Sequence, residues 1–481
     1  MSPAAVPATD VCLLVIDDEA LFFSEDRQEL YVFNTPATFV WCCVEERLEF
    51  AEIVAAYAAA FGVPAGQAER SVTDILHQWW ALGYLSRLDA PPSSPIGFVT
   101  ALGRLLTSPG LRSEFRRAPH RTAHRLGLRA GDFEAVMALD ERAVECQSNV
   151  LAGRQSSIRQ AGGSWSSDRL FVAMAGSDRT LLEAATESRM ADLSRPSLRR
   201  YYRLLTTNFC LRFTSVAEEA RVHRSLAHLE VESPLTCDVV LDVLGSGAGH
   251  ILVQDILPLG FCARLDAVAA LVQARLRQIA IDRHPSFLQV HAGLVSHGGR
   301  GLLLPGPPGH GKTTLTAALT VAGFRYLSDE LAVFEGDPLE ARAVPLGLAI
   351  KPGAVDVLSP LWPEVCTLPV DVREDGEVVR YLVPPREAVA AEATVPVRWI
   401  VFPRYVPAAD TSLRPVSKSD ALRRLMAECL VLPTSLDRAG VHILAAWIRS
   451  VDTYELTLGA LTEAVAELRR LCEPGGGPKV L

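Results

Sequence analysis

Residues 306–313 read Gly-Pro-Pro-Gly-His-Gly-Lys-Thr, a complete match to GxxxxGK[ST]. Each position in that spacing has a chemical use. Gly306, Gly309 and Gly311 let successive backbone N–H groups turn inward around phosphate oxygens, and the helix that follows adds the positive end of its dipole. Lys312 is placed to reach the β- and γ-phosphates and Thr313 to ligate Mg²⁺. His310 and Thr314 fall within the same nucleotide-contacting stretch. The flanks agree with the motif. Gly301-Leu302-Leu303-Leu304 reads as a buried strand, and the run from Thr314 to Thr320 opens a helix ended by Gly323. A glycine-rich turn with no ligand would leave both flanks unexplained, so ATP and Mg²⁺ are the expected cofactors.

The strand expected at Phe324–Leu327 runs into Ser328-Asp329-Glu330. Two adjacent carboxylates at a strand end beside such a loop suggest divided labour, one accepting a substrate proton and the other assisting the metal. An acidic turn is the bland alternative. His291 closes another apolar run, Phe287–Val290, fifteen residues before Gly306. Taken alone, it reads as a core histidine.

These groups need a scaffold, and the chain is long enough for several. At 481 residues it predicts two to four domains, with an ordinary globular balance of 49% apolar and 21% charged residues. A net charge of −9 argues against nucleic acid as the main partner. The N-terminal stretch has no basic region, and Asp17, Asp18 and Glu19 interrupt its apolar run, so it does not read as a signal peptide. No run approaches the length of a membrane span. Ten scattered cysteines without a CxxC pair read as reduced thiols, and the expected location is cytoplasmic.

The first domain is expected over residues 1–90. Val11–Ile16, Leu21–Phe23 and Leu30–Phe33 read as three short strands separated by charged turns. Helical periodicity follows. Phe50, Ile53, Val54 and Tyr57 share one face, a short helix is possible at Pro64–Glu69, and Val72, Ile75, Leu76, Trp79 and Leu82 repeat at three and four before Gly83 closes the helix. Three strands and then three helices make a winged-helix-like α+β module. A Pro-Pro-Ser-Ser-Pro linker at 91–95 leads to a helical middle segment over 96–160, whose Arg112, Arg116, Arg117 and Arg121 read as solvated surface. From 168 to 481, strand-like and helical runs alternate, predicting a C-terminal α/β P-loop domain with its nucleotide-binding core at 287–355.

The residues from His291-Ala-Gly-Leu-Val through the glycine loop to Gly323-Phe-Arg-Tyr-Leu-Ser-Asp-Glu resemble the core of the HPr serine kinase/phosphorylase family. Over about residues 168–472, the resemblance implies a kinase domain of HPr kinase type. It implies that Asp329 is the base, that Glu330 assists Mg²⁺ with Thr313, and that His291 touches the γ-phosphate or the substrate. Gly347-Leu-Ala-Ile-Lys351 resembles that family's Arg-Gly-Leu-Gly-Ile signature. The departures are Leu346 for the signature Arg, Glu330 for the second Asp, and Pro308-Gly309 for Ser-Gly. They fit relatives of that kinase found in peptide-modifying gene clusters, with Lys351 supplying the missing positive charge.

The N-terminal residues Glu29–Ala37, Phe50–Ala60 and Val72–Leu85 resemble the PqqD-type recognition element of ribosomal peptide biosynthesis. That resemblance implies that a leader peptide adds a strand along Leu30, Tyr31, Val32 and Phe33, with Ile75 and Trp79 as side wall. DNA binding, the other use of a winged helix, is disfavoured by the Asp and Glu residues within 10–52. The combined expectation is a soluble ATP-dependent serine kinase of a ribosomally made precursor peptide, its oligomeric state open. The alternatives are a phosphoserine phosphorylase or phosphatase, and a non-catalytic adaptor that binds nucleotide and peptide.

Overall fold

In the computed structural model the described residues are 6–86 and 196–473, apart from 9, 17–18, 26–28, 234–235, 247–248, 255–256, 391–393, 429 and 433–435, together with Phe115 and Thr122. The expected linker at 91–95, nearly all of the 96–160 segment and the expected domain start at 168 lie outside them. The chain forms two compact units. One gathers the N-terminal residues with Ser417–Arg424 and Thr434–Ser450, and the other holds most of the remaining C-terminal residues.

The first unit is built on an antiparallel sheet of β1 (Val11–Ile16), β2 (Glu19–Ser24) and β3 (Glu29–Phe33) in that order. Three helices follow: α1 (Thr35–Glu45), α2 (Phe50–Phe61) and α3 (Ala65–Leu82). Sequence periodicity missed α1, whose faces are apolar almost all round. Its start is nonetheless encoded, since Asn34 accepts a 3.0 Å hydrogen bond from the Ala37 N–H and Pro36 sits in the first turn. The short helix expected at Pro64–Glu69 is the first turn of α3, which is continuous. Gly83 ends α3 at φ 67°, a conformation only glycine adopts without strain.

Phe22 anchors the helix-facing side of the sheet. It stacks on Phe33 at 4.6 Å and meets Trp41 edge-on at 5.0 Å, while Trp79 stacks on Phe33 at 5.3 Å. Each such aromatic pair contributes about 0.5–1.5 kcal/mol beyond its area burial. Leu21 and Phe23 alternate to the other face and are buried as well. The helix Arg438–Ser450 packs beside β1, which the 1–90 boundary did not anticipate.

The second unit opens with a five-stranded sheet of order β8-β7-β6-β5-β4, from β4 (Leu198–Leu204), β5 (Thr207–Phe213), β6 (Val239–Ser246), β7 (Gly249–Gln254) and β8 (Leu257–Cys262). Helices α4 (Val216–Leu226) and α5 (Val268–Arg283) cover it, closing a core around Tyr202, Phe209, Phe213, Leu226 and Leu271. The chain continues through β9 (Leu288–Val290), β10 (Ala292–His297), β11 (Arg300–Pro305), α6 (Lys312–Val321) and β12 (Arg325–Ser328). It then adds β13 (Ala332–Glu335), β14 (Leu348–Ile350), β15 (Asp371–Val372), β16 (Val378–Leu382), β17 (Val397–Tyr405), β18 (Ser412–Pro415), β19 (Asp452–Leu458) and α7 (Leu461–Cys472).

Six of these strands form a mixed sheet of order β12-β10-β11-β17-β19-β18, in which β11, β17 and β19 run parallel. Leu302 and Leu304 of β11 pack with Leu315 and Leu319 of α6 and Leu468 of α7. That packing fixes the turn from β11 into α6 at the C-terminal ends of the parallel strands, where open α/β sheets place their ligands. No helix among the described residues is long and apolar enough to cross a membrane.

Candidate functional site

The loop between β11 and α6 is shaped by glycine. Gly309 and Gly311 both lie at φ 87°, so a side chain at either position would be strained. Gly311 is the N-cap of α6 and supplies no side-chain acceptor, leaving the first-turn N–H groups without a side-chain cap. Lys312 is buried and folds back over the loop, donating from Nζ to the carbonyls of Gly306 at 2.5 Å and Pro307 at 3.1 Å. His310 places its Nδ1 3.2 Å from the Pro403 carbonyl.

Asp329 follows the end of β12 and is 4% exposed. Neither carboxylate oxygen has a hydrogen-bond partner of normal geometry. Burial and the neighbouring Glu330 push its pKa up to about 7, with the Thr313 hydroxyl, Lys312 and the Ala349 amide near enough to pull partly the other way. The structure thus brings Lys312, Thr313 and Asp329 together. An orphaned carboxylate poised near neutrality is what a general base needs.

Glu330 is differently placed. Arg277 of α5 and Arg373, just after β15, clamp its two oxygens, Arg373 at 3.0 Å, and hold its pKa below the usual carboxylate range despite burial. Two guanidinium groups compete with any cation for this carboxylate, so its placement favours an ion-pair role over the metal-assisting role expected for Glu330. Lys351 is also corrected. It caps the short helix after β14 and pairs with Glu377 at the exposed surface. The positive charge beside the carboxylates comes instead from Arg277 and Arg373.

His291 places Nδ1 2.7 Å from the backbone carbonyl of Glu330. A carbonyl can only accept, so Nδ1 carries the proton and the neutral ring leaves Nε2 as a lone pair. Burial and Lys312 lower the pKa of His291, which favours that neutral form. The arrangement suits accepting a hydrogen bond from a hydroxyl or water, rather than donating one to a phosphate oxygen.

A cavity of about 290 Å³ opens between α5, the end of β12, the loop before β14 and residues 373–381, with Asp329 in its wall. Sequence reasoning missed Gln273, Arg277, Arg373 and Tyr381, which line it. Gln273 and Arg277 lie on a helix without a clear apolar stripe, where polar residues read as surface. Nothing in local spacing links them to Asp329.

In the first unit the two edges of the sheet differ. At β1, the guanidinium of Arg449 donates to the Val15 carbonyl at 2.5 Å and that of Arg438 to the Val11 carbonyl at 3.4 Å. Those carbonyls therefore face away from β2. Following the alternation across the registers of β1 with β2 and β2 with β3, Glu29, Tyr31 and Phe33 bond to β2, and the backbone groups of Leu30 and Val32 face outward. Among the described residues, no strand pairs with that edge. The side chains of Tyr31 and Phe33 lie on the helix-facing side, with Tyr31 exposed and its ring 6.4 Å from Tyr84. Ile75 is half-buried beside the core. Trp79 is 3% exposed and stacked on Phe33, so it supports the groove from beneath and is not its wall.

The family model described as Coenzyme PQQ synthesis protein D (PqqD) matches residues 19–85, from β2 to the end of the helical part. The N-terminal module is thus a PqqD-type element. Among solved structures, the chain is similar to one titled "TbiB1 in Complex with the TbiA(beta) Leader Peptide", at 23% identity over 18% of this chain and 99% of that chain, with a TM-score of 0.17. No curated protein matches the chain.

Proposed function

We propose that this chain is an ATP-dependent serine kinase of a ribosomally made peptide, whose leader is captured on the open β3 edge. The observation that carries the reading is the meeting of a GxxxxGK[ST] loop with a buried, unpartnered carboxylate. Lys312 and Thr313 lie beside Asp329, whose pKa is pushed up to about 7. In this mechanism the first-turn amides of α6 and Lys312 hold the β- and γ-phosphates of ATP. Asp329 takes the proton of the acceptor hydroxyl as the hydroxyl oxygen bonds to the γ-phosphorus. The bond from that phosphorus to the bridging oxygen breaks, and its electron pair leaves with ADP. His291 offers Nε2 as a further acceptor for a hydroxyl or water.

The donor set fits a hard divalent cation, since the Thr313 hydroxyl lies beside the buried Asp329 carboxylate, whose oxygens have no hydrogen-bond partner of normal geometry. Mg²⁺, when bound there with the phosphates, would neutralise charge on the transferring group. Thr313 would hold it, with one Asp329 oxygen in reach.

Capture works through backbone groups. The outward N–H and C=O groups of Leu30 and Val32 can take an extended leader as a fourth strand, with Tyr31 and Ile75 beside it. Holding the leader raises the local concentration of the acceptor, which lets the active site itself be unselective. Phosphorolysis of a phosphoserine is the second reading, favoured by the same carboxylate. A group near neutrality is protonated in about half the molecules at that pH and can return a proton to a departing hydroxyl. Product analysis with labelled ATP and with inorganic phosphate tests both. Formation of phosphopeptide and ADP supports the kinase, and release of serine peptide supports the reverse reaction.

A further inference from the structure

The cavity beside Asp329 holds a second orphan. Gln273 of α5 is 4% exposed and lines the cavity, and its Nε2 has no hydrogen-bond partner. A buried amide donor without a partner is destabilising, by about 1–3 kcal/mol, and is uncommon in folded proteins. Its persistence in a cavity wall points to a ligand that completes it.

The charges of the same wall are already matched. Arg277 and Arg373 hold Glu330, and Arg275 holds Glu374 at 2.6 Å. The cavity therefore has no cationic surplus to select an anion. What it leaves open is a donor at Gln273 and an acceptor at Asp329. The complementary ligand is uncharged there, with a carbonyl oxygen for the first and a hydroxyl for the second. A serine or threonine residue carries both on one short unit. At about 290 Å³ the cavity lies at the small end of ligand sites, which run from about 300 to 1,000 Å³. It admits a short extended stretch of chain and not the face of a folded domain.

We propose that this cavity is the acceptor subsite, taking a hydroxyl residue within an unfolded peptide, and that Gln273 orients it by donating to a backbone carbonyl. This deepens the kinase reading and rests on it for the chemistry, although the binding itself does not require turnover. Gln273 sets the position of the peptide, and the proton goes to Asp329.

The test uses the full chain with short leaderless peptides centred on serine, threonine or alanine, with γ-labelled ATP. Gln273→Leu is close in size and removes the orphan donor, and Gln273→Met is the second variant should the first fold poorly. The expected result is opposite signs. The melting temperature of the free protein rises, the KM for serine peptide rises at least tenfold, and kcat and the KM for ATP stay near wild type. An unchanged peptide KM overturns the proposal, as does a wild-type preference for small polyols over peptides. Suppose no variant transfers label, yet serine peptides raise the melting temperature of wild type and not of Gln273→Leu. Then the kinase reading falls and the subsite stands. Peptides that neither stabilise wild type nor accept label overturn the subsite.

Discussion

The PqqD-type module and the Asp329 cavity treat their buried groups in opposite ways. In the module the aromatic core is closed, with Phe22, Phe33, Trp41 and Trp79 in mutual contact, and what remains open is a row of backbone groups at β3. One edge of the same sheet is blunted by arginines, and among the described residues the other has no strand paired with it. In the cavity it is side chains that lack partners: Asp329 and Gln273. A binding module can finish its core and leave an edge. A site for chemistry leaves functional groups incomplete until substrate arrives, at the expense of stability.

The largest effect should come from emptying the chemical site. Lys312→Ala and Asp329→Asn are each expected to lower peptide phosphorylation by about 10²–10⁴-fold, while leader affinity, measured by titration calorimetry, stays at the wild-type value. A parallel loss of leader binding would erase the division between the two regions.

Next is the edge. The N–H of Val32 points away from β2, so Val32→Pro removes an outward donor without breaking the β2–β3 ladder. Leader affinity should fall by about 1–3 kcal/mol, with the rate on leaderless peptide unchanged. Val15→Pro, on the arginine-covered edge, should leave leader affinity alone. Equal losses from the two prolines would show that the edges are not distinct.

The stability of the chemical site should depend on pH in a stated direction. The folded pKa of Asp329 lies near 7, above its ordinary value, so the folded state holds this proton more tightly than the unfolded chain. Its burial is therefore tolerated below about pH 4 and becomes destabilising as pH rises towards 7. Without metal or nucleotide, Asp329→Asn should be more stable than wild type at pH 8, on the order of a few kcal/mol, and the gap should close by pH 4. Denaturant melts at the two pH values measure it.

The smallest effect is expected at Glu330. Because Arg277 and Arg373 occupy it, Glu330→Gln should lower turnover less than either loss above, and added Mg²⁺ should not restore it. Rescue by Mg²⁺ would return Glu330 to the metal.

Legibility in the sequence followed the range of the signal. The strands of the N-terminal sheet, the end of α3 at Gly83 and the strand-loop-helix around Lys312 depend on neighbours in sequence, and local pattern located them. The helix α1 was missed because its apolar faces carry no clean period, although Asn34 and Pro36 mark its start. The resemblance that places Trp79 in a side wall carries no information on depth, and Trp79 lies buried beneath the surface. Arg277, Arg373 and Gln273 come to the Asp329 cavity only through the tertiary fold, across 44 to 56 residues in either direction. Lys351 is near the carboxylates in sequence only and pairs with Glu377, whereas the arginines on Glu330 come from α5 and from the segment after β15.

The proposed reaction is passage of a phosphoryl group from ATP to a peptide hydroxyl at the Lys312–Asp329 site. Its most direct test is mass analysis of serine-centred peptides incubated with ATP, Mg²⁺ and the full chain, beside Lys312→Ala. Peptides heavier by one phosphoryl group are expected with wild type, and unmodified peptides with the variant. Peptides left unmodified by wild type, or modified equally by both, would contradict it.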